Sequence, residues 1–308
     1  MEIALQFVLL ALGFVMLGKG ADWFVEGAAG IAMRFGIPQL VIGLTIVAMG
    51  TSAPEAAVSI AAAVKGNADI TIGNIVGSNI LNILIILGLA ASIVPIAVAR
   101  STVRIEIPFM IGVTALLFYQ GRDGSISLAD GGVLMVAFAA YMMYLYTMAM
   151  KSNVDSDLEE PGLPLGRCLL GAVGGLALII AGSNVTVGAA TSIATYAGLS
   201  ERFIGLTIVA LGTSLPELFT SVAAARRGNA DIAIGNIVGS NIFNILFVVG
   251  LSSLIIDIPF ASAFNFDTYV ALGAAVLLWL CVLRTQRLQR WAGVLMLVCY
   301  AAYLGYIL

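Results

Sequence analysis

The sequence predicts an all-α integral membrane protein: ten transmembrane helices in two inverted five-helix repeats, with the N-terminus outside. Three observations carry this. First, 61% of the 308 residues are apolar and 10% are charged, which is too little polar surface for a soluble fold of this size. Second, residues 42–89 recur at residues 204–251, with 35 of 48 positions matching at an offset of 162. Third, the lysines and arginines are distributed unequally between the two sides of the helices that the apolar runs define.

The apolar runs are long and continuous, and a span takes about 20 such residues as helix. By run length and breakers, helices are predicted at residues 4–32, 39–64, 70–94, 104–120, 128–150, 165–194, 202–226, 232–256, 267–284 and 290–308. The first run resembles a signal-peptide core, but the polar and small residues after it align with Gly182 to Ala194, so it is read as a retained first helix. Residues 1–150 form the first repeat, 151–164 a cytoplasmic linker (KSNVDSDLEEPGLP) and 165–308 the second repeat, together one membrane domain. The acidic run Asp155 to Glu160 belongs to that solvated linker. Cys168, Cys281 and Cys299 lie in apolar segments and read as small buried hydrophobes with no disulfide framework. With no histidine in the chain, the usual zinc ligand and the usual near-neutral proton carrier are both missing.

With the N-terminus outside, Arg34, Arg100, Arg104, Lys151, Arg167, Arg226, Arg227, Arg284, Arg287 and Arg290 face the cytoplasm. Only Lys65, Arg122 and Arg202 face outward, and Lys19 stays within the first helix. Five helices separate equivalent points of the repeats, so the second copy enters the membrane the opposite way up. Such inverted repeats build many secondary transporters, whose sites lie near the midplane between the halves. The expected location is the cell (plasma or inner) membrane, multi-pass.

Each copy holds two polar elements within apolar spans. The first is GTSAPE (Gly50 to Glu55) and GTSLPE (Gly212 to Glu217). Pro54 and Pro216 have no N–H to donate, so a kink is expected that leaves the Gly50 and Gly212 carbonyls without an intrahelical partner. Thr51 and Glu55 are four apart, as are Thr213 and Glu217, which puts each pair on one helix face. An ionised carboxylate at the bilayer centre costs about 2.5 to 3.5 kcal/mol on insertion scales. No intramembrane lysine or arginine is well placed to neutralise both glutamates, so the simplest counter-charge is a bound cation.

The second element is GNIVGSNILN (Gly73 to Asn82) and GNIVGSNIFN (Gly235 to Asn244), in the following helix of each half. Ser78 and Asn82 share a face, as do Ser240 and Asn244, and are read as polar lining of a cation path; Gly73 and Gly77 are read as a close-packing track. Asn74, Asn79, Asn236 and Asn241 are read as cross-helix hydrogen-bonding residues. Lys19, Asp22 and Glu26 read as a local ion-pair cluster on the first helix, with an ion entry path as the alternative. Asp69 and Asp231 read as N-caps rather than as recruiting sites.

The paired GTSxPE and GNxxGSNxxN elements resemble the α-repeats of the calcium/cation antiporter superfamily, most closely its sodium/calcium exchanger branch. The resemblance implies a diamond-like core made by the second, third, seventh and eighth helices. It implies calcium ligation by Glu55, Glu217, Thr51 and Thr213, the threonines through backbone carbonyls. It implies sodium sites at Glu55, Glu217, Ser52, Ser214, Ser78, Ser240, Ala48 and Ala210. It also implies sliding of the first and sixth helices over the core, with glycines at 18, 20, 27 and 30 permitting close contact. Asn82 and Asn244 occupy a position that is an aspartate in potassium-dependent relatives, which argues against potassium co-transport.

Charge arithmetic favours exchange independently of the resemblance. One Ca2+ neutralises two carboxylates, several Na+ would do so at separate oxygens, and an empty crossing carries a bare double charge. The implied stoichiometry of three Na+ per Ca2+ makes the cycle electrogenic. The reading is a Na+/Ca2+ antiporter and not an enzyme, with no cofactor beyond the transported Ca2+ and Na+. A Ca2+/H+ exchanger is the alternative, and an intramembrane enzyme the distant one. The partners are inorganic cations and the lipid bilayer, not nucleic acid; oligomeric state is open, a monomer being sufficient.

Overall fold

The computed structural model describes residues 2–66, 68–151, 163–198 and 210–307. In chain order its helices are α1 (Ile3–Phe35), α2 (Gln39–Thr51), α3 (Ala53–Val64), α4 (Ile70–Ile93), α5 (Thr102–Asp123), α6 (Leu128–Lys151), α7 (Leu165–Tyr196), α8 (Ala210–Thr213), α9 (Leu215–Arg226), α10 (Ala230–Ile255), α11 (Ala263–Leu283) and α12 (Arg290–Ile307). Among the described residues, eight are long and apolar enough to cross a bilayer singly, and α2 with α3, bent by 51°, pass as one broken span. The remaining predicted helix, 202–226, lies partly outside the described residues, as does the linker from 152 to 162 and Ala210's side chain.

Two short antiparallel ladders qualify the all-α expectation. β1 (Ile96–Ala97) pairs with β4 (Arg287–Leu288), and β2 (Ser125–Ile126) pairs with β3 (Ile258–Pro259). Each joins the first half of the chain to the second. No sequence signal marks two-residue strands, because their pairing partner lies in the other repeat.

Burial separates core from periphery. The most apolar window of α10 is 94% buried and that of α4 is 78% buried, against 17% for α1, α6 and α12. The outer helices turn Leu5, Val8, Val136, Leu170 and Val298 outward, as lipid-facing helices do because the tails are as apolar as the side chains. Among the described residues, four segments widen the helices by π-helical turns: 43–47, 82–87, 102–106 and 244–249. Two of them begin at Asn82 and Asn244. Single π turns in an α-helix concentrate at functional sites because they re-aim side chains that a regular helix would stack.

Helix approach is set by glycine. A Cβ on Gly27 would sit 2.3 Å from the Ala172 backbone nitrogen, and one on Gly20 would sit 2.9 Å from the Gly175 carbonyl oxygen. These contacts seat α1 on α7. Gly30 meets only the Cys168 side chain, whereas Gly18, expected in the same contact, faces open space. In the core, a Cβ on Gly239 would lie 2.8 Å from the Leu44 backbone, so α10 crosses α2 at backbone distance.

Two local expectations are corrected. Asp231 is not an N-cap: Asn229 holds that place and Asp231 sits in the first turn of the helix Ala230–Phe243. The helix Asp69–Leu81 likewise has Ala68 at its N-cap. The three cysteines are free, with Cys168 and Cys281 buried, as expected.

Candidate cation site

The break between α2 and α3 falls at Ser52, with Pro54 in the first turn of α3. Proline is tolerated there because the N–H it lacks is one that a helix start leaves unpaired. Glu55 and Glu217 therefore occupy the first turns of α3 and α9, where the helix dipole and free N–H groups favour a negative charge. The expected loss of the Gly50 carbonyl's partner does not occur. Backbone N–H groups at the cap bond to the Ala48 and Gly50 carbonyls, and the Gly212 carbonyl accepts the Ser183 hydroxyl at 2.7 Å. A clean break at Ser52 re-caps the helix, whereas a kink within a continuous helix would not.

Both glutamates are wholly buried. Each takes a hydrogen bond from the serine of the opposite half: Ser52 Oγ donates to Glu217 Oε1 at 2.8 Å, and Ser214 Oγ donates to Glu55 Oε1 at 3.3 Å. Ser78 Oγ lies 3.4 Å from Ser214 Oγ, and Ser240 Oγ donates to the Ala48 carbonyl at 3.4 Å. These bonds tie the two halves together in three sets, Ser52 with Glu217, Ser78 and Ser214 with Glu55, and Ser240 with Ala48. Among the described residues, no ion pair involves either glutamate.

The asparagines frame this cluster. Asn74 Nδ2 donates to the Glu55 carbonyl and to Ser59 Oγ, at 3.3 and 2.9 Å; Asn236 Nδ2 donates to the Glu217 carbonyl and to Ser221 Oγ, at 3.4 and 2.9 Å. Asn82 Nδ2 donates to Asn241 Oδ1 and Asn244 Nδ2 to Asn79 Oδ1, at 2.9 and 3.1 Å. The single hydrogen of Thr51 Oγ1 has the Val47 and Ala48 carbonyls and Asn236 Oδ1 within reach as acceptors.

Among the described residues twelve buried side-chain oxygens have no partner, and four of them belong to the repeated motifs: Glu55 Oε2, Glu217 Oε2, Asn82 Oδ1 and Asn244 Oδ1. They are two pairs related by the offset of 162. An unpaired buried acceptor costs about 1 to 3 kcal/mol, more for a charged one, and all four are hard oxygens of the kind that bind Na+ or Ca2+. Among the described residues no group of three or more His, Cys, Asp or Glu side chains gathers. The donors are therefore two carboxylates plus neutral oxygens, a set suited to hard cations and unsuited to zinc.

Two features escaped sequence reasoning. Glu106 is buried on α5 and accepts the Tyr144 hydroxyl of α6; its π-helical turn gives no sequence signal. The acids of α1 are paired not locally, as expected, but with Arg227 at the end of α9, at 3.2 Å to Asp22 and 3.2 Å to Glu26. A partner 205 residues away cannot be read from spacing along α1.

Comparison with known proteins agrees with this geometry. A family model described as sodium/calcium exchanger protein matches residues 5–147 and 168–308. The chain is 41% identical to the putative antiporter CaxA of Alkalimonas amylolytica over 99% of its own length and 98% of that protein. It is 33% identical to the sodium/calcium exchanger MaX1 of Methanosarcina acetivorans, over 98% of each. A structure of the sodium-calcium exchanger NCX_Mj soaked with Na+ and Sr2+ superposes with a TM-score of 0.86 at 34% identity, covering 98% of this chain and 99% of that one. These relatives are transporters, which removes the intramembrane-enzyme reading. The chain is a multi-pass membrane protein that belongs to the sodium/calcium exchanger family of cation antiporters.

Proposed function

We propose that this chain exchanges Na+ for Ca2+ by alternating access, the two ions competing for one midplane site headed by Glu55 and Glu217. In this reading it has ten membrane helices in two inverted halves, the N-terminus outside. The observation that supports the reading is a set of four unpartnered buried oxygens, one carboxylate and one amide oxygen from each half, two of them on glutamates that each accept a hydrogen bond from a serine of the opposite half.

The chemistry follows from charge. Two ionised glutamates bring −2, and a single Ca2+ balances it while taking six to eight oxygens at about 2.3 to 2.6 Å. Glu55 and Glu217 supply the carboxylates; the Thr51 and Thr213 carbonyls and the Asn82 and Asn244 amide oxygens complete the candidate shell. Sodium ions share the same carboxylates and add Ser52, Ser214, Ser78 and Ser240 with the Ala48 and Ala210 carbonyls. Because each carboxylate serves one load at a time, calcium leaves as sodium enters. An empty crossing takes two bare charges through a poorly hydrated core, where each costs several kcal/mol. Exchange is thereby obligatory, and three Na+ for one Ca2+ makes it electrogenic.

The test is radioactive calcium uptake into proteoliposomes under an imposed outward sodium gradient at fixed pH, with voltage set by an ionophore. Uptake driven by sodium is the expected result; with three Na+ leaving for each Ca2+ gained, one net positive charge leaves per cycle, so an inside-positive potential should accelerate uptake and an inside-negative one slow it. Uptake that follows a proton gradient and ignores sodium replaces this reading with Ca2+/H+ exchange.

A further inference from the structure

Outside the central site, the described residues contain one cluster of paired charges, and it ties α1 to α9. Arg227, the residue that caps α9, reaches Asp22 Oδ1 through Nε and Glu26 Oε2 through Nη1, each at 3.2 Å. The two acids are four residues apart and so share a face of α1. Beside Asp22 lies a cavity of about 560 Å³ lined by Val15, Gly18, Lys19, Phe219 and Arg226 as well as Asp22 and Arg227, with Glu26 outside it. Deeper along the same helices, the Phe14 and Phe219 rings approach to 6.1 Å between centroids. Glu217 lies ten positions before Arg227, about 15 Å along the helix at ~1.5 Å per residue. The charged contact thus closes over an apolar one on the path that leads down α9 to the candidate site.

This closure has no mirror image. Shifting by 162 maps Arg227 to Lys65 (227 − 162), Asp22 to Asn184 (22 + 162) and Glu26 to Gly188 (26 + 162). The basic partner survives in the first half, but both acids are lost in the second. The packing is unequal too: α1 lies along α9, whereas the mirrored pair, α7 and α3, makes no comparable contact.

We propose that Arg227 is a one-sided latch: its pairs with Asp22 and Glu26 hold this face of the transporter closed, and among the described residues no equivalent ion pair holds the opposite face. The inference rests on the inverted-halves antiport reading. In a protein whose halves exchange conformations, identical halves would give two end states of equal energy. A contact present in only one of them favours that state, and ions on the latched face meet a smaller fraction of receptive protein. The cavity's bases outnumber its acids, Lys19, Arg226 and Arg227 against Asp22, so cations are also repelled there until Arg227 swings away.

The experiment measures half-saturating Ca2+ on each face separately, in proteoliposomes sorted for orientation. Arg227→Gln is expected to tighten apparent Ca2+ affinity on the Arg227 face by roughly two- to tenfold, the range open to two partly exposed pairs. Affinity on the other face should not tighten. The charge-swapped pair Arg227→Glu with Asp22→Arg should move the value back toward wild type. Asn184→Asp with Gly188→Glu installs the acids opposite Lys65, and a Cβ at Gly188 meets no described atom within 4 Å; this variant should weaken affinity on the opposite face instead. Equal effects on both faces, or none, overturn the latch. A readout that needs no transport separates this from failure of the antiport reading: spin-label distances between α1 and α9 should broaden in Arg227→Gln. Unchanged distances overturn the latch even where wild-type flux proves proton-driven.

Discussion

Asn79 and Asn241 each donate a side-chain N–H to the other's backbone carbonyl, both at 3.2 Å. The two residues are 162 apart, so this is one position of the repeat bonded to itself across the centre of the molecule. A buried amide satisfied this way pins α4 against α10 at one register, because a shift of one residue breaks both bonds together. Asn82 and Asn244 then hang from the same pair through Asn241 Oδ1 and Asn79 Oδ1, which leaves their own amide oxygens buried without a hydrogen-bond partner.

Asn79→Ala and Asn241→Ala are each expected to lower stability by about 2 to 4 kcal/mol, since each removes two side-chain bonds and strands a buried partner. The double variant should cost less than the sum of the singles, because the bonds lie in one network. Thermal unfolding of the detergent-solubilised protein measures both; strict additivity would mean that the two amides act independently.

Glu55→Gln or Glu217→Gln removes one of the two charges that balance Ca2+. Each is expected to reduce calcium uptake by roughly a hundredfold or more while leaving the protein folded, since ligand charge count sets affinity at oxygen sites. Isotope flux and size-exclusion profile check the two halves of that statement, and near-normal flux in both variants would remove the glutamates from the mechanism.

Ser52 sits 2.8 Å from Glu217 Oε1, closer than Ser214 to Glu55 Oε1 at 3.3 Å. Hydrogen bonds to charged groups contribute about 1.5 to 3 kcal/mol. Ser52→Ala should therefore perturb half-saturating Na+ more than Ser214→Ala does, read from sodium dependence of exchange at constant calcium.

Gly27→Ala puts a methyl 2.3 Å from the Ala172 backbone nitrogen, whereas Gly18→Ala meets nothing within 4 Å. The first is expected to cost about 1 to 3 kcal/mol by overpacking and to slow exchange by forcing α1 off α7. The second should be close to neutral. Melting temperature and exchange rate of the two variants make the comparison, and equal behaviour would mean that the α1–α7 contact yields easily.

Much of the site was legible along the chain. Both glutamates, the serines at 52, 78, 214 and 240, and Asn82 and Asn244 stand out as polar residues repeated within apolar spans; the fold joins each glutamate to a serine of the opposite half, Ser240 to the Ala48 carbonyl, and Asn82 and Asn244 to Asn241 and Asn79. Less legible was how each is held. Asn74 and Asn236 read as general cross-helix donors, but their place is under the glutamate carbonyls. The proline was read as the cause of a free Gly50 carbonyl, yet a break at Ser52 lets the backbone re-pair. Whether a proline kinks a helix or starts a new one depends on what supports each segment, and those contacts come from the opposite repeat.

Hydropathy and repetition were enough to determine a helical membrane protein with one polar element pair in each half, because bilayer thickness and backbone hydrogen bonding leave few alternatives. The tertiary structure alone decided which oxygens are spent and which stay free. It also decided that Arg227 answers the acids of α1, and that short strands tie one half to the other. The reason is physical: burial and periodicity act between near neighbours in sequence, whereas the bonds that join the serines to the opposite half link residues more than 130 positions apart.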